Sequence, residues 1–347
     1  MKILLVTLIT LVATSCACIK KTSLPMYGEN KKDLRPALQL EEVGPFLLIN
    51  KTKDRHLPHL SAASGIQIVD DKFYVVADDE LFLASFPLNN TRQGVQVPAL
   101  PGEKEMPADN LLRKKVKPDW ESLVFVPSEF VPPYGALLLV PSGSMPTRQR
   151  AVLLPMDVKG VSDKPREIDL SGIYSELYKD IKELNIEGAI IVGNELRLFQ
   201  RGNGSLKENA IVTLKMQNFI KYINKTGELR PKDVISAIQF HRSLSNVPVK
   251  GFSDAASLSN GEMLFLASVE NTVSTFADGE ILGSFLGLMA KDGKIKWMAP
   301  FALNLKAEGL AVSESQDGIQ VFVVPDSDAP EKPAILYKVF LKNEDLK

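Results

Sequence analysis

The chain has 347 residues, 45% of them hydrophobic and 24% charged, with 41 Lys+Arg against 42 Asp+Glu. That is enough apolar material for a large core, and the near-neutral balance excludes both a disordered chain and a basic nucleic-acid binder. The two cysteines, Cys16 and Cys18, precede residue 20 and the histidines are only His56, His59 and His241, which excludes a disulfide scaffold, a cysteine-ligated zinc site and a cysteine nucleophile in the main body.

In chain order, residues 1–15 carry a short positive start and an apolar run of about a dozen residues, too short to span a bilayer and proportioned like a secretory signal. The run ends in Ala13-Thr14-Ser15-Cys16, small residues before a cysteine, which resembles the lipobox of bacterial lipoproteins. That resemblance implies lipidation of Cys16 and a membrane-anchored protein of the bacterial cell envelope. Ala17 after the cysteine points to the outer membrane, facing the periplasm. An ordinary cleaved signal peptide is the alternative. Residues 16–36, rich in lysine with Pro25 and Gly28, read as a flexible tether, and residues 37–347 as one monomeric domain.

Within that domain a short phrase recurs five times: Ala63-Ser64-Gly65-Ile66, Trp120-Glu121-Ser122-Leu123, Ile186-Glu187-Gly188-Ala189, Ser253-Asp254-Ala255-Ala256 and Ala307-Glu308-Gly309-Leu310. Its second positions lie 57, 66, 67 and 54 residues apart, a period that helical solenoids do not have. After each phrase comes a turn signal, such as Asp70-Asp71, Gly193-Asn194 or Asn260-Gly261, and then a β-rich apolar run that stops at a polar residue. Two such runs make a hairpin, and further strands follow in every unit, so each unit reads as a blade of an all-β propeller. Five phrases predict five blades; a degenerate sixth could hide within residues 205–249, and a β-sandwich with irregular repeats is the competing architecture. Residues 171–184 form the main helical candidate. The β-rich segment at residues 38–49 precedes the first phrase and is placed to complete the last blade as an N-terminal closing strand.

In a propeller the first strand of each blade lines the channel, and its start lies beside the end of the second strand. The acids Glu121, Glu187, Asp254 and Glu308 are therefore expected around one mouth of the channel, as candidate ligands of a metal ion. With them go the residues that end the second strands, Asp78, Ser142, Arg201, Glu270 and Asp326, and the nearby Arg148, Arg150, Asn203 and Asp328, as candidate ligand-binding groups. Carboxylates gathered in a narrow space must be protonated, paired with cations or bound to a metal, and oxygen ligands suit Ca2+. Alternatively Arg148, Arg150 and Arg201 neutralise them or hold an anion, or each acid pins a neighbouring blade without any ligand. No phosphate-binding loop, nucleophile elbow or paired-histidine zinc motif is present.

The phrases Asp119-Trp120-Glu121-Ser122-Leu123, Ile186-Glu187-Gly188-Ala189, Phe252-Ser253-Asp254-Ala255-Ala256 and Ala307-Glu308-Gly309-Leu310 resemble those of the phytase-like propellers, the "esterase-like activity of phytase" group. With Gln200-Arg201-Gly202-Asn203 and Pro325-Asp326-Ser327-Asp328 the resemblance extends to an uncharacterised bacterial propeller lipoprotein family. It spans residues 38–342 and implies a propeller with a calcium site in the channel mouth. The phytases' dense calcium-binding acids and catalytic basic cluster are not matched residue by residue. The sequence thus leads to binding of a small polar or anionic ligand at the mouth, with a calcium-dependent phosphoesterase and a protein-interaction platform as the alternatives.

Overall fold

The computed structural model describes residues 19–24, 35–100, 105–245, 250–271, 280–326 and 329–347. They form five small sheets, each a blade whose strands run outward from the centre in chain order, save for two N-terminal strands added at the outer edges of blades three and five. Blade one consists of Ala63–Val69, Lys72–Ala77, Phe82–Pro87 and Val95–Pro98. Blade two has Trp120–Val126, Ala136–Pro141 and Arg150–Asp157, with Gly160–Val161 and Arg166–Asp169 both pairing on the third strand. Blade three has Ile186–Val192, Glu195–Gln200, Ala210–Lys215 and Ile235–His241. Blade four has Lys250–Ser257, Met263–Asn271, Glu280–Met289 and Ile295–Pro300.

Blade five is built from Lys306–Glu314, Gly318–Asp326 and Ile335–Lys342, and its outer strand is Glu41–Pro45, paired antiparallel from the other end of the domain. The expected N-terminal closure is therefore present. The innermost strands touch one another around the full cycle from blade one to blade five and back, so the ring is closed at five. The stretch suspected of hiding a sixth blade supplies the outer strands of blade three and two short helices, Met216–Ile223 and Pro231–Val234. Residues 171–184 are helical over Ser171–Leu177 alone.

The strands read as apolar because most are covered on both faces. In Ala136–Pro141, Ala136, Leu138 and Val140 point into the core between blades two and three, while Leu137 and Leu139 point into the core between blades one and two. Alternation with period two thus feeds two cores at once, and no polar face is left to interrupt the run. Five apolar cores fill the five gaps between adjacent blades.

Lys20–Leu24 lies in the segment expected to be a tether, yet it is a strand, added in parallel to the outer edge of blade three beside Ile235–His241. Ile19 packs against the core of that blade. Cys16 and Cys18 lie outside the described residues. Among the described residues no helix is long and apolar enough to cross a membrane.

His241 ends the fourth strand of blade three, fully buried against Phe252, and neither ring nitrogen has a hydrogen-bond partner among the described residues. Burial pushes its pKa down to about 4. The unfolded chain therefore binds this proton more tightly than the folded one. Stability is expected to fall as pH drops from about 6.5 to about 4, by up to about 3 kcal/mol from this residue. Thermal unfolding across that range should show the loss, and His241→Phe should remove most of it; equal pH slopes in the two proteins would overturn the assignment.

Candidate functional site

The five phrases share one backbone irregularity. Each inner strand carries a β-bulge where the register skips one residue: Ser64, Glu121, Glu187, Ser253 and Glu308. A bulged residue is released from the ladder and can be aimed independently, and here the bulge sits at the start of each inner strand. In blade four the bulged residue is Ser253, one position before the acid expected from the phrase. Ser253 Oγ donates to Ala307 O at 2.6 Å, and Asp254 is paired in the ladder with Leu266. The Asp254 carboxylate accepts the Leu310 backbone N–H of blade five at 2.7 Å and does not line the mouth cavity. Its environment is that of a pin between two blades, with burial raising its pKa well above the usual range.

The start of each inner strand does lie beside the end of the second strand. Ser142 N donates to Asp119 O at 2.9 Å and Arg201 N to Asn185 O at 2.8 Å. Adjacent blades are tied at the same end, by Asp119 N to Asp78 O at 3.1 Å and Ile186 N to Ser142 O at 2.8 Å. This convergence leaves a cavity of about 240 Å³ at the channel mouth. Glu121, Glu187, Glu308, Asp78, Asp326, Arg148, Arg201 and Asn203 all line it. Ser142 is fully buried behind the wall, where its hydroxyl donates to Asp119. Glu270 also stands behind the wall, bonded to Arg201. Arg150 is turned away: its side chain is 55% exposed and faces Glu167 and Asp169 at 3.9 and 3.5 Å on the outside of blade two. Asp328 lies outside the described residues.

The wall contains lining residues that the phrase comparison did not single out. Two positions before each bulge stand Ala62, Asp119, Asn185, Gly251 and Lys306, of which Asp119, Asn185 and Lys306 add polar groups to the wall. Gly251 is required for space: a Cβ there would lie 2.7 Å from Cγ of Arg201. Lys117 and the helix Asn110–Val116 complete the rim over blade one, with Asn110, Arg113 and Lys114 facing the cavity. Asp109 caps that helix by accepting the Leu112 N–H at 2.9 Å.

Nearly every charge in the wall is already met by another. Arg201 is buried among three carboxylates, with Nη1 at 3.3 Å from Glu187 and 3.4 Å from Glu308, and Nη2 on Glu270. Lys306 lies 3.4 Å from Glu308 and 3.9 Å from Asp326. Asp119 receives Arg148 at 2.9 Å and Lys117 at 2.8 Å, and Lys117 also bonds Asp78. Arg113 joins Asp54, Asp79 and Glu80 beneath the helix.

The exception is Glu121, which forms no hydrogen bond or salt bridge among the described residues, although the Lys117 charge acts on it at longer range. Burial, and then the charges of Asp119, Glu187 and Asp78, push its pKa well above the usual carboxylate range, against the pull of Lys117. Burial likewise raises Glu187 to about 8 and Asp78 to about 6, against the pull of Arg201 and Lys117. Asp119 is also buried, but Lys117 and Arg148 together hold it below the usual carboxylate range.

One oxygen from each of Asp78, Asp119 and Glu121 falls within 4.8 Å of the others, the kind of donor set a hard cation takes. The Lys117 ammonium, bonded to two of the three, stands in that cation's place. Neither His56 nor His59 lines the cavity; His59 Nε2 meets Pro330 O at 3.1 Å.

Comparison with known proteins adds the family. No curated protein matches the chain. Among solved structures, the catalytic domain of a GH62 α-L-arabinofuranosidase of Coprinopsis cinerea is 12% identical, with a TM-score of 0.48 over 89% of this chain and 99% of that one. The PQQ-bound aldose sugar dehydrogenase of Streptomyces coelicolor is 7% identical, with a TM-score of 0.46 over 87% and 98%. The WD40 propeller domain of Doa1 is 12% identical, with a TM-score of 0.34 over 88% and 99%. Likenesses this distant carry no argument about activity. Residues 59–341 match a family of unknown function, DUF6929, and the chain belongs to that family.

Proposed function

We propose that this protein is a lipid-anchored propeller of the bacterial cell envelope whose channel mouth binds a small polar ligand. One observation carries the binding reading: a cavity of about 240 Å³ walled by hydrogen-bonding groups whose charges are internally matched, with Glu121 left available. Concave sites with a few convergent polar groups are the usual places for small ligands. Because Arg148 and Arg201 are engaged with carboxylates, the wall favours a neutral or zwitterionic ligand over a strongly anionic one. Calorimetry with a panel of sugars, polyols and amino acids beside inorganic phosphate tests this. A neutral or zwitterionic compound should bind, and Glu121→Gln and Asn203→Ala should weaken it; phosphate binding alone, or no response across the panel, would refute the reading.

A calcium-dependent phosphoesterase, which the phytase-like resemblance implies, has one observation in its favour, the Asp78, Asp119 and Glu121 triad. The triad does not fit a metal ion while Lys117 stays in it, since the ammonium already satisfies two of the three carboxylates. Calcium is accordingly expected to leave the melting temperature of the wild type unchanged and to raise that of Lys117→Met, in which the cation seat is vacated. A calcium-dependent rise in the wild type would revive the metal-dependent enzyme.

A further inference from the structure

The N-terminal strand fixes how an anchored propeller must stand on its membrane. In blade three the inner strand begins at the cavity with Glu187 and ends at Val192 on the opposite face. The second strand returns to the cavity, the third runs away from it to Lys215, and the fourth starts on the far face at Ile235 and climbs to His241. Lys20–Leu24 runs parallel to that fourth strand, with Lys20 opposite Ala237 and Leu24 opposite His241. The strand therefore begins on the face away from the cavity.

Cys16 stands three residues before Ile19, which packs on the blade. Three residues of chain reach at most about 10 Å. A lipid on Cys16 would hold the lower rim of blade three close to the bilayer surface.

That rim is positive. Lys20, Lys215, Lys221, Lys225 and Arg230 are all exposed there, around the helix Met216–Ile223 and the turn that follows it. The acids at this end are Glu195, opposite Lys215 and bonded to Arg197, Glu228, Asp233, bonded to Arg230, and Asp169 of blade two, within reach of the Lys225 charge, and the cations outnumber them. Each cation near an anionic leaflet adds about 1 kcal/mol of attraction, so the charge pattern and the point of attachment favour the same surface.

We propose that the lower rim of blade three is the surface this protein turns toward an anionic bilayer, with the channel cavity opening away from the membrane. The orientation rests on lipidation of Cys16, the anchoring part of the proposed function. It leaves the cavity open to ligands diffusing in the adjoining aqueous compartment and closed to ligands resident in the lipid.

The test uses the full, lipidated chain carrying Cys18→Ser, in vesicles of phosphatidylcholine with phosphatidylglycerol whose lipids bear a quencher near the head group. A fluorophore is placed at Lys225→Cys on the lower rim or at Leu206→Cys, an exposed residue in the loop between the second and third strands of blade three, on the cavity side. The seven-residue strand between these ends spans about 20 Å. The Lys225→Cys label should be quenched and the Leu206→Cys label should not, and removing the phosphatidylglycerol should weaken the quenching. Equal or reversed quenching with Cys16 shown by mass to be lipidated overturns the orientation alone. Quenching indifferent to lipid charge overturns the basic rim as its cause, and an unmodified Cys16 overturns the anchor and the orientation together.

Discussion

Replacing Arg201 by methionine is expected to destabilise the protein by about 3–5 kcal/mol, because it leaves three buried carboxylates without the guanidinium they share. Glu187, Glu270 and Glu308 come from three different blades and meet on the two ends of one planar fork, Glu187 and Glu308 at Nη1 and Glu270 at Nη2. A lysine brings a single point charge, so Arg201→Lys should recover only part of the loss. The deficit of Arg201→Met should shrink as pH falls, since Glu187, already pushed up to about 8 by burial, needs no counter-charge once protonated. Urea unfolding at pH 8 and pH 5.5 measures both effects. A loss below about 1 kcal/mol, the scale of exposed ion pairs, would mean that water rather than Arg201 serves these carboxylates.

Asp119→Asn is expected to cost about 3 kcal/mol at neutral pH, as the loss of a buried charge that serves two cations. Asp119 sits in the left-handed region at φ +59°, a conformation asparagine tolerates, so the backbone stays and only the charge is lost. Its carboxylate accepts Ser142, Lys117 and Arg148. Because its folded pKa lies below the ordinary value, its contribution is complete above about pH 4 and is lost as pH falls through the folded value. Asp119→Asn should therefore lose stability near neutral pH and show a flatter decline in acid. Melting temperatures of the two proteins from pH 7 to pH 2.5 check this, and parallel curves would show that Asp119 does not bear the paired charge.

The ring could be read from the sequence because its determinants are local and repeated. Runs such as 136–141 are apolar at every position since both faces meet another blade, and turn residues punctuate them. The segment at residues 38–49 could be assigned to the last blade because ring closure removes an exposed edge. The mouth was legible in part: Glu121, Glu187 and Glu308 stand at their bulges, and Asp78, Arg148, Arg201, Asn203 and Asp326 join them at the cavity.

Blade four departs from the repeat by one position, with its bulge at Ser253 and its acid at Asp254. An acid adjacent to the bulge has the same one-letter appearance as an acid on it, yet one step along a strand reverses the side-chain direction and sends Asp254 to Leu310. Arg150 was inseparable from Arg148 by sequence. Arg148 belongs to the turn that folds back on Asp119, whereas Arg150 opens the third strand on its outer side. Lys117 and Lys306 carried no signal of their own among so many lysines; only their places beside Asp119 and Glu308 in the assembled ring give them meaning.

The five bulges have a consequence for how such a protein can diversify. Each presents one residue that takes no part in the strand ladder, and in this chain those residues spell serine, glutamate, glutamate, serine and glutamate. The ladder pairs skip these residues, so exchanging one breaks no strand pairing and acts only through what its side chain meets, Ala307 for Ser253 and Arg201 for Glu187 and Glu308. The strand pairing of the ring is thus separate from the five-letter combination at its mouth, and altering that combination changes the chemistry of the mouth without changing the register of any blade.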